Sequence, residues 1–96
     1  MKNFENIYIL RGSLTEEQAK KEIENIKQYF KDVKIFAKEN DTNGYLGLKR
    51  LAYTIKGQTT GYYFVTYFKG TENKTAEIEK QLRLNENVIK FITIRV

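Results

Sequence analysis

The 96-residue chain contains no cysteine, no histidine and no proline. Without cysteine there is no disulfide framework, no thiolate chemistry and no zinc site of the usual kind. Without histidine as well, the commonest general base and the strongest nucleophile are both missing. Without proline, no backbone position is pinned by that ring. No apolar stretch approaches the roughly 20 residues needed to cross a bilayer. The opening MKNFENIYILRG lacks the long apolar block and small-residue cleavage site of a secretory signal, so a cytosolic home is expected. No glycine-rich loop resembles a phosphate cradle. The carboxylates interleave with lysines at spacings such as Glu16/Lys20 and Glu17/Lys21, which are surface pairs on a helix. Glu22, Glu24, Glu77 and Glu79 read as solvated, so neither a metal nor a cofactor is expected. One small enzyme class, the acylphosphatases, needs an Arg after the first strand, which Arg11-Gly12 could supply. It also needs a catalytic Asn that the sequence does not locate, and a non-enzyme without a small-molecule substrate is the expectation.

What is present is positive charge, unevenly placed. The net charge is +5, which on so short a chain points to an acidic partner such as nucleic acid. Residues 13–44 carry seven acids and six bases, and residues 57–81 balance. Residues 45–56 hold Lys49, Arg50 and Lys56 with no acid, while residues 82–96 hold Arg83, Lys90 and Arg95 against Glu86. The first twelve add Lys2 and Arg11 against Glu5. The excess therefore lies outside the first helical segment.

One domain, residues 1–96, accounts for the pattern. FENIYIL, about residues 4–10, is rich in strand formers. Ser13-Leu14-Thr15-Glu16 reads as a capping box, and Ala19, Ile23, Ile26 and Phe30 follow at helical spacing, predicting a helix over 14–31. Val33 to Ala37 begins a second strand, and Asn40 to Gly44 is turn chemistry. Leu48 to Ile55 resumes extended character. After a connection over 56–61, Tyr62 to Phe68 reads as a third strand. Thr71 or Asn73 caps a second helix carrying Ile78 and Leu82, and Val88 to Val96 is a final strand. The order β-α-β-β-α-β is that of the ferredoxin-like α+β fold, a four-stranded antiparallel sheet with two helices on one face.

The run TTGYYFVTYF (59–68) raises a specific alternative. The strand signature of the RNA-recognition motif, K/R-G-F/Y-G/A-F-V-x-F/Y, lies over Thr60 to Tyr67 with mismatches at its first and fourth positions. Ile7-Tyr8-Ile9 resembles that family's other signature strand. On this reading the chain is a free-standing binder of single-stranded RNA that stacks bases on its sheet. On the other, the aromatics simply pack on the central strands of a pleated sheet.

Four further stretches resemble a different family. Gly47-Leu48-Lys49-Arg50-Leu51-Ala52-Tyr53-Thr54-Ile55 is similar to the G-x-R-R-x-L-A-Y-P-I stretch, in its shorter-spaced forms, of the bacterial small-subunit ribosomal protein S6 family. Leu82 to Lys90, LRLNENVIK, resembles its helix-to-strand segment. Met1-Lys2-Asn3-Phe4-Glu5 resembles its M-R-x-Y-E opening, and Gly61-Tyr62 its third-strand start. The resemblance spans essentially the whole chain. Departures are Lys49 in place of the usual Arg, Thr54 in place of Pro, a longer loop around 40–44, and an end at Val96 without the charged tail of many members.

The resemblance implies a ribosome-associated, cytoplasmic component of the 30S subunit. Such a protein binds small-subunit (16S) ribosomal RNA together with ribosomal protein S18 during assembly, and meets no membrane. The charge map then places Lys2, Lys49, Arg50, Arg83 and Lys90 on RNA phosphates. Tyr8, Tyr53, Tyr62 and Phe64 become sheet-face residues expected to offer a surface to the protein partner.

Overall fold

The computed structural model describes residues 1–36 and 44–96. The expected turn at 40–44 lies, apart from Gly44, outside the described residues, as does Ala37. The described chain runs β1 (Lys2–Arg11), α1 (Glu16–Ile26), a 3-10 turn (Lys27–Phe30), β2 (Lys34–Phe36), β3 (Tyr45–Ile55), β4 (Gln58–Gly70), α2 (Glu72–Leu84) and β5 (Val88–Arg95).

β4 and β1 form the centre of an antiparallel sheet, in register from Lys2 opposite Gly70 to Arg11 opposite Gly61. β5 flanks β1 on one side. On the other side β2 pairs the far end of β4, at Phe36 opposite Tyr67, and β3 pairs its near end, from Tyr45 opposite Phe64. Five strands thus fill four positions, and the expected ferredoxin-like arrangement holds with its outer strand divided in two.

α1 begins at a different cap from the expected Ser13–Glu16 box. Thr15 Oγ1 accepts from the Gln18 amide at 3.1 Å, and Gln18 Oε1 accepts from the Thr15 amide at 2.9 Å. The reason is Leu14, which is buried in the core and packs ahead of the helix. That makes Leu14 the residue before the cap and Ala19, also buried, its partner four residues into the helix, a hydrophobic staple. Ser13 is left outside, its hydroxyl accepting from Arg11 at 2.8 Å. The single helix expected over 14–31 ends its α-helical part at Ile26. It tightens into the 3-10 turn that sets Phe30 edge-on to Phe68, centroids 5.6 Å apart.

Strand alternation sorts the aromatic residues. Phe4, Tyr8, Tyr62, Phe64 and Phe68 point toward the helices and form the main core with Ile23, Ile26, Ile78 and Leu82. Phe4 stacks on Phe68 at 5.4 Å and Tyr8 on Phe64 at 5.5 Å. A smaller cluster of Ile9, Leu51 and Ile89 lies on the opposite, helix-free face.

Candidate nucleic-acid interface

The helix-free face is shaped by β3. Arg50 pairs with Thr60, but the next pair along the ladder is Ile55 with Gln58, so β3 spends more residues than β4 between those points. The surplus, Leu51 to Thr54, arches off the ladder. Leu51 anchors the arch, buried against Ile9 and Ile89. Gly61 lies beneath it, and a Cβ there would come within 2.4 Å of Ile9 Cγ2 and 3.5 Å of Leu51. Tyr53 then reaches β5, where Lys90 Nζ donates to its hydroxyl at 3.0 Å and sits 5.4 Å from the ring centre. That hydrogen bond, reinforced by the ammonium charge, holds the Tyr53 phenol below its ordinary pKa and raises that of Lys90.

Register fixes where the expected RNA cations stand. Lys49 and Arg50 oppose Gly61 and Thr60, at the end of the sheet where β1 finishes at Arg11. Lys90 opposes Ile9, near the same end, and Arg83 lies in the last turn of α2, which leads into β5 there. These four are exposed, and among the described residues none is paired with a carboxylate. Two have neutral aromatic partners instead: Lys90 has Tyr53, and the Arg83 guanidinium lies 5.6 Å from the Phe91 ring centre. The aromatic contact fixes the side chain and leaves its charge uncompensated. Lys2 stands apart, at the other end of β1 about 30 Å away at roughly 3.3 Å per residue. There it forms an ion pair with Glu72.

The four aromatics expected at the partner surface divide. Tyr53 is 63% exposed. Tyr8, Tyr62 and Phe64 are at most 8% exposed and lie under the helices. The Tyr62 hydroxyl donates to the Leu14 carbonyl at 2.8 Å, and burial pushes the Tyr8 hydroxyl pKa far up. No partner reaches these three without displacing a helix, so that expectation is corrected: they are core. The same parity removes the stacking platform, because the aromatic consensus positions at Tyr62 and Phe64 face the helices.

Two features escaped sequence reasoning. The first is an apolar open face. Ile92 and Ile94 are 52% and 46% exposed, and Ile92 lies opposite Ile7, which in turn lies opposite Val65. The alternation FITIR in β5 carried this signal, once the inward face is known. The second is a polar clasp. Asn85 Nδ2 donates to Glu22 Oε2 at 3.2 Å and to the Tyr29 hydroxyl at 3.0 Å, and Asn87 Nδ2 donates to Glu22 Oε1 at 2.6 Å. Arg11 Nε donates to Asn87 Oδ1 at 2.8 Å. The clasp pins the α2–β5 connection to α1 and β1, which sets the direction of Arg83 and Lys90. It also occupies Arg11, the one side chain that had suggested acylphosphatase chemistry.

Comparison with known proteins places this geometry. The family model of ribosomal protein S6 matches residues 3–95. The small ribosomal subunit protein bS6 of Helicobacter acinonychis is 38% identical over 98 residues, covering 99% of this chain and 65% of that protein. The bS6 protein of Campylobacter jejuni is 38% identical over 95 residues, covering 99% of this chain and 74% of that protein. The chain thus spans just under two thirds of the length of the Helicobacter relative. The crystal structure of 30S ribosomal protein S6 from Thermotoga maritima superposes with a TM-score of 0.85 at 26% identity, covering 99% of this chain and 87% of that one.

Proposed function

This chain belongs to the ribosomal protein S6 family, and from that premise we propose that it is a structural, non-catalytic component of the small ribosomal subunit in the cytoplasm. It binds small-subunit ribosomal RNA together with ribosomal protein S18. The observation that carries the reading is the gathering of Lys49, Arg50, Arg83 and Lys90 at one end of the sheet, with no carboxylate partner among the described residues. Uncompensated cations on a rigid scaffold suit RNA helices and junctions, which are read through backbone and shape because side chains do not enter the deep major groove. Lys2 already has its counter-charge and lies outside this group. The apolar open face, with Tyr53 at its border, supports contact with the protein partner, since the core of an interface is apolar and depleted of charge.

The test is a salt titration. With S18 present, Lys49→Ala/Arg50→Ala should fold as the parent does, because exposed cations usually matter within about 0.5 kcal/mol. Its log-log salt slope for an rRNA central-domain transcript should fall by about one unit per lost phosphate contact. An unchanged affinity and slope would move the RNA surface to Arg83 and Lys90. Tight binding of short single-stranded RNA without S18 would favour the free-standing binder instead.

A further inference from the structure

Lys56 occupies a backbone position that lysine does not favour. With Gly57 it makes the two-residue turn between β3 and β4, closed by Ile55 opposite Gln58. Its φ is +47° and that of Gly57 is +79°. Positive φ at both central residues is the type I′ pattern, for which Asn-Gly is the favoured pair. A lysine Cβ in this region meets the following carbonyl, whereas the short polar side chain of Asn is tolerated there. Among the described residues Lys56 is the only non-glycine residue with positive φ. Nothing in the turn repays the strain: Lys56 is exposed, and none of the hydrogen bonds or ion pairs among the described residues involves it. Strain retained at a surface position is a reason to look for a function there.

The arch gives that position its reach. Leu51 and Tyr53 carry the hairpin toward the start of β5, and Lys56 arrives beside Arg83 and Lys90. The three cations, from the β3–β4 turn, the end of α2 and β5, line one hollow of about 230 Å³ whose remaining walls are Leu82, Val88, Ile89 and Phe91. Among the described residues no carboxylate lines it. An anion seated in the hollow meets three cationic side chains at its lining, and each attracts it. The Arg83 guanidinium, held over Phe91, keeps a planar fork suited to two oxygens of one anion.

We propose that Lys56, Arg83 and Lys90 form a three-cation seat for a single backbone phosphate of RNA, and that lysine rather than asparagine stands in the turn for the sake of that contact. The inference deepens the ribosomal reading and rests on it. A phosphodiester carries two unesterified oxygens and sits at the edge of a chain that continues on both sides. A hollow open to solvent and ringed from three elements accepts such a group without enclosing it.

The test is Lys56→Asn, a change that suits the turn and removes the charge. Its melting temperature should equal or exceed that of the parent. With S18 present its affinity for an rRNA central-domain transcript at about 0.1 M salt should fall several-fold, and the log-log salt slope should lose roughly 0.7–0.9 of a unit. Lys56→Arg should restore both. Parent-like affinity and slope in Lys56→Asn would overturn the seat while leaving the ribosomal reading intact, provided the parent binds steeply with salt. Failure of the parent and S18 to bind the transcript at all would overturn both. A lower melting temperature in Lys56→Asn would overturn the claim of backbone strain. Displacement of the transcript by a polyglutamate peptide at equal charge, dependent on Lys56, would overturn the phosphate assignment.

Discussion

Tyr62 and Tyr63 are adjacent, chemically identical and opposite in role. Tyr62 is buried under α1 with its hydroxyl on the Leu14 carbonyl, and Tyr63 is half-buried on the helix-free face. Composition could not separate them, because β4 is central and carries aromatics on both faces. Only the register against β1, with Phe4 opposite Phe68, decides which set faces the helices. Tyr62→Phe should therefore cost about 1 kcal/mol, the worth of one buried hydrogen bond, and Tyr62→Ala about 3–5 kcal/mol. Denaturant melts of the two variants check the ordering. A neutral Tyr62→Ala would mean the ring is not in the core. Tyr53 and Lys90 offer a second readout at this scale. Tyr53 titrates below the ordinary tyrosine range because Lys90 donates to it and is positively charged, and Lys90 titrates above its own. In the folded state Tyr53 ionises first, so stability rises as pH passes through the tyrosine range. The gain is lost once the pH passes the raised pKa of Lys90. Near neutrality the pair adds no pH dependence. Tyrosinate absorbance should show an early-titrating group that moves upward in Lys90→Met.

At the scale of elements, what repeats with a period was legible and what breaks a period was not. The helical spacing of Ala19, Ile23, Ile26 and Phe30 located α1, and all four are buried. The run of strand formers from Phe4 to Leu10 located β1. The expected cap of α1, the Ser13 to Glu16 box, is replaced by one between Thr15 and Gln18, because the burial of Leu14 moves the start of the helix two residues on. LKRLAYTI read as one uninterrupted strand, since each of its residues tolerates extended backbone and no proline marks a bend. Yet the ladder is broken between Arg50 and Ile55. The family-like motif of residues 47–55 thus has a structural meaning beyond its cations. Leu51 holds the arch down, and Tyr53 ties it to β5. Leu51→Ala should cost about 2–4 kcal/mol for a buried leucine. Because it releases the arch, it should also free Tyr53 from Lys90 and return its titration toward the ordinary value. A destabilised variant whose Tyr53 still titrates early would show that the arch is held by something other than Leu51.

Across the whole molecule the two surfaces adjoin without overlapping. The cations lie where β1 ends and β5 begins, and the exposed Ile92 and Ile94 lie farther along β5 on the open face. Covering the exposed half of Ile92 is worth about 0.8–1.5 kcal/mol if a partner lies over it, and burying a carboxylate there instead is heavily penalised. In the isolated chain position 92 is half exposed, so Ile92→Glu should leave the melting temperature nearly unchanged. The loss appears only on assembly. On the proposed pairing with S18, the S18-dependent enhancement of RNA binding should fall by roughly tenfold or more, since each 1.4 kcal/mol is a factor of ten. RNA binding by the variant without S18 should fall by much less than the S18-dependent enhancement, because Lys49, Arg50 and Arg83 lie at the other end of β5 and only Lys90, two residues away on the same face, is near the new carboxylate. Measuring RNA affinity with and without S18 for both proteins separates the surfaces. An S18 effect that survives Ile92→Glu would place the protein partner elsewhere, and a loss equal in both arms would mean that the open face and the cation end serve one RNA contact.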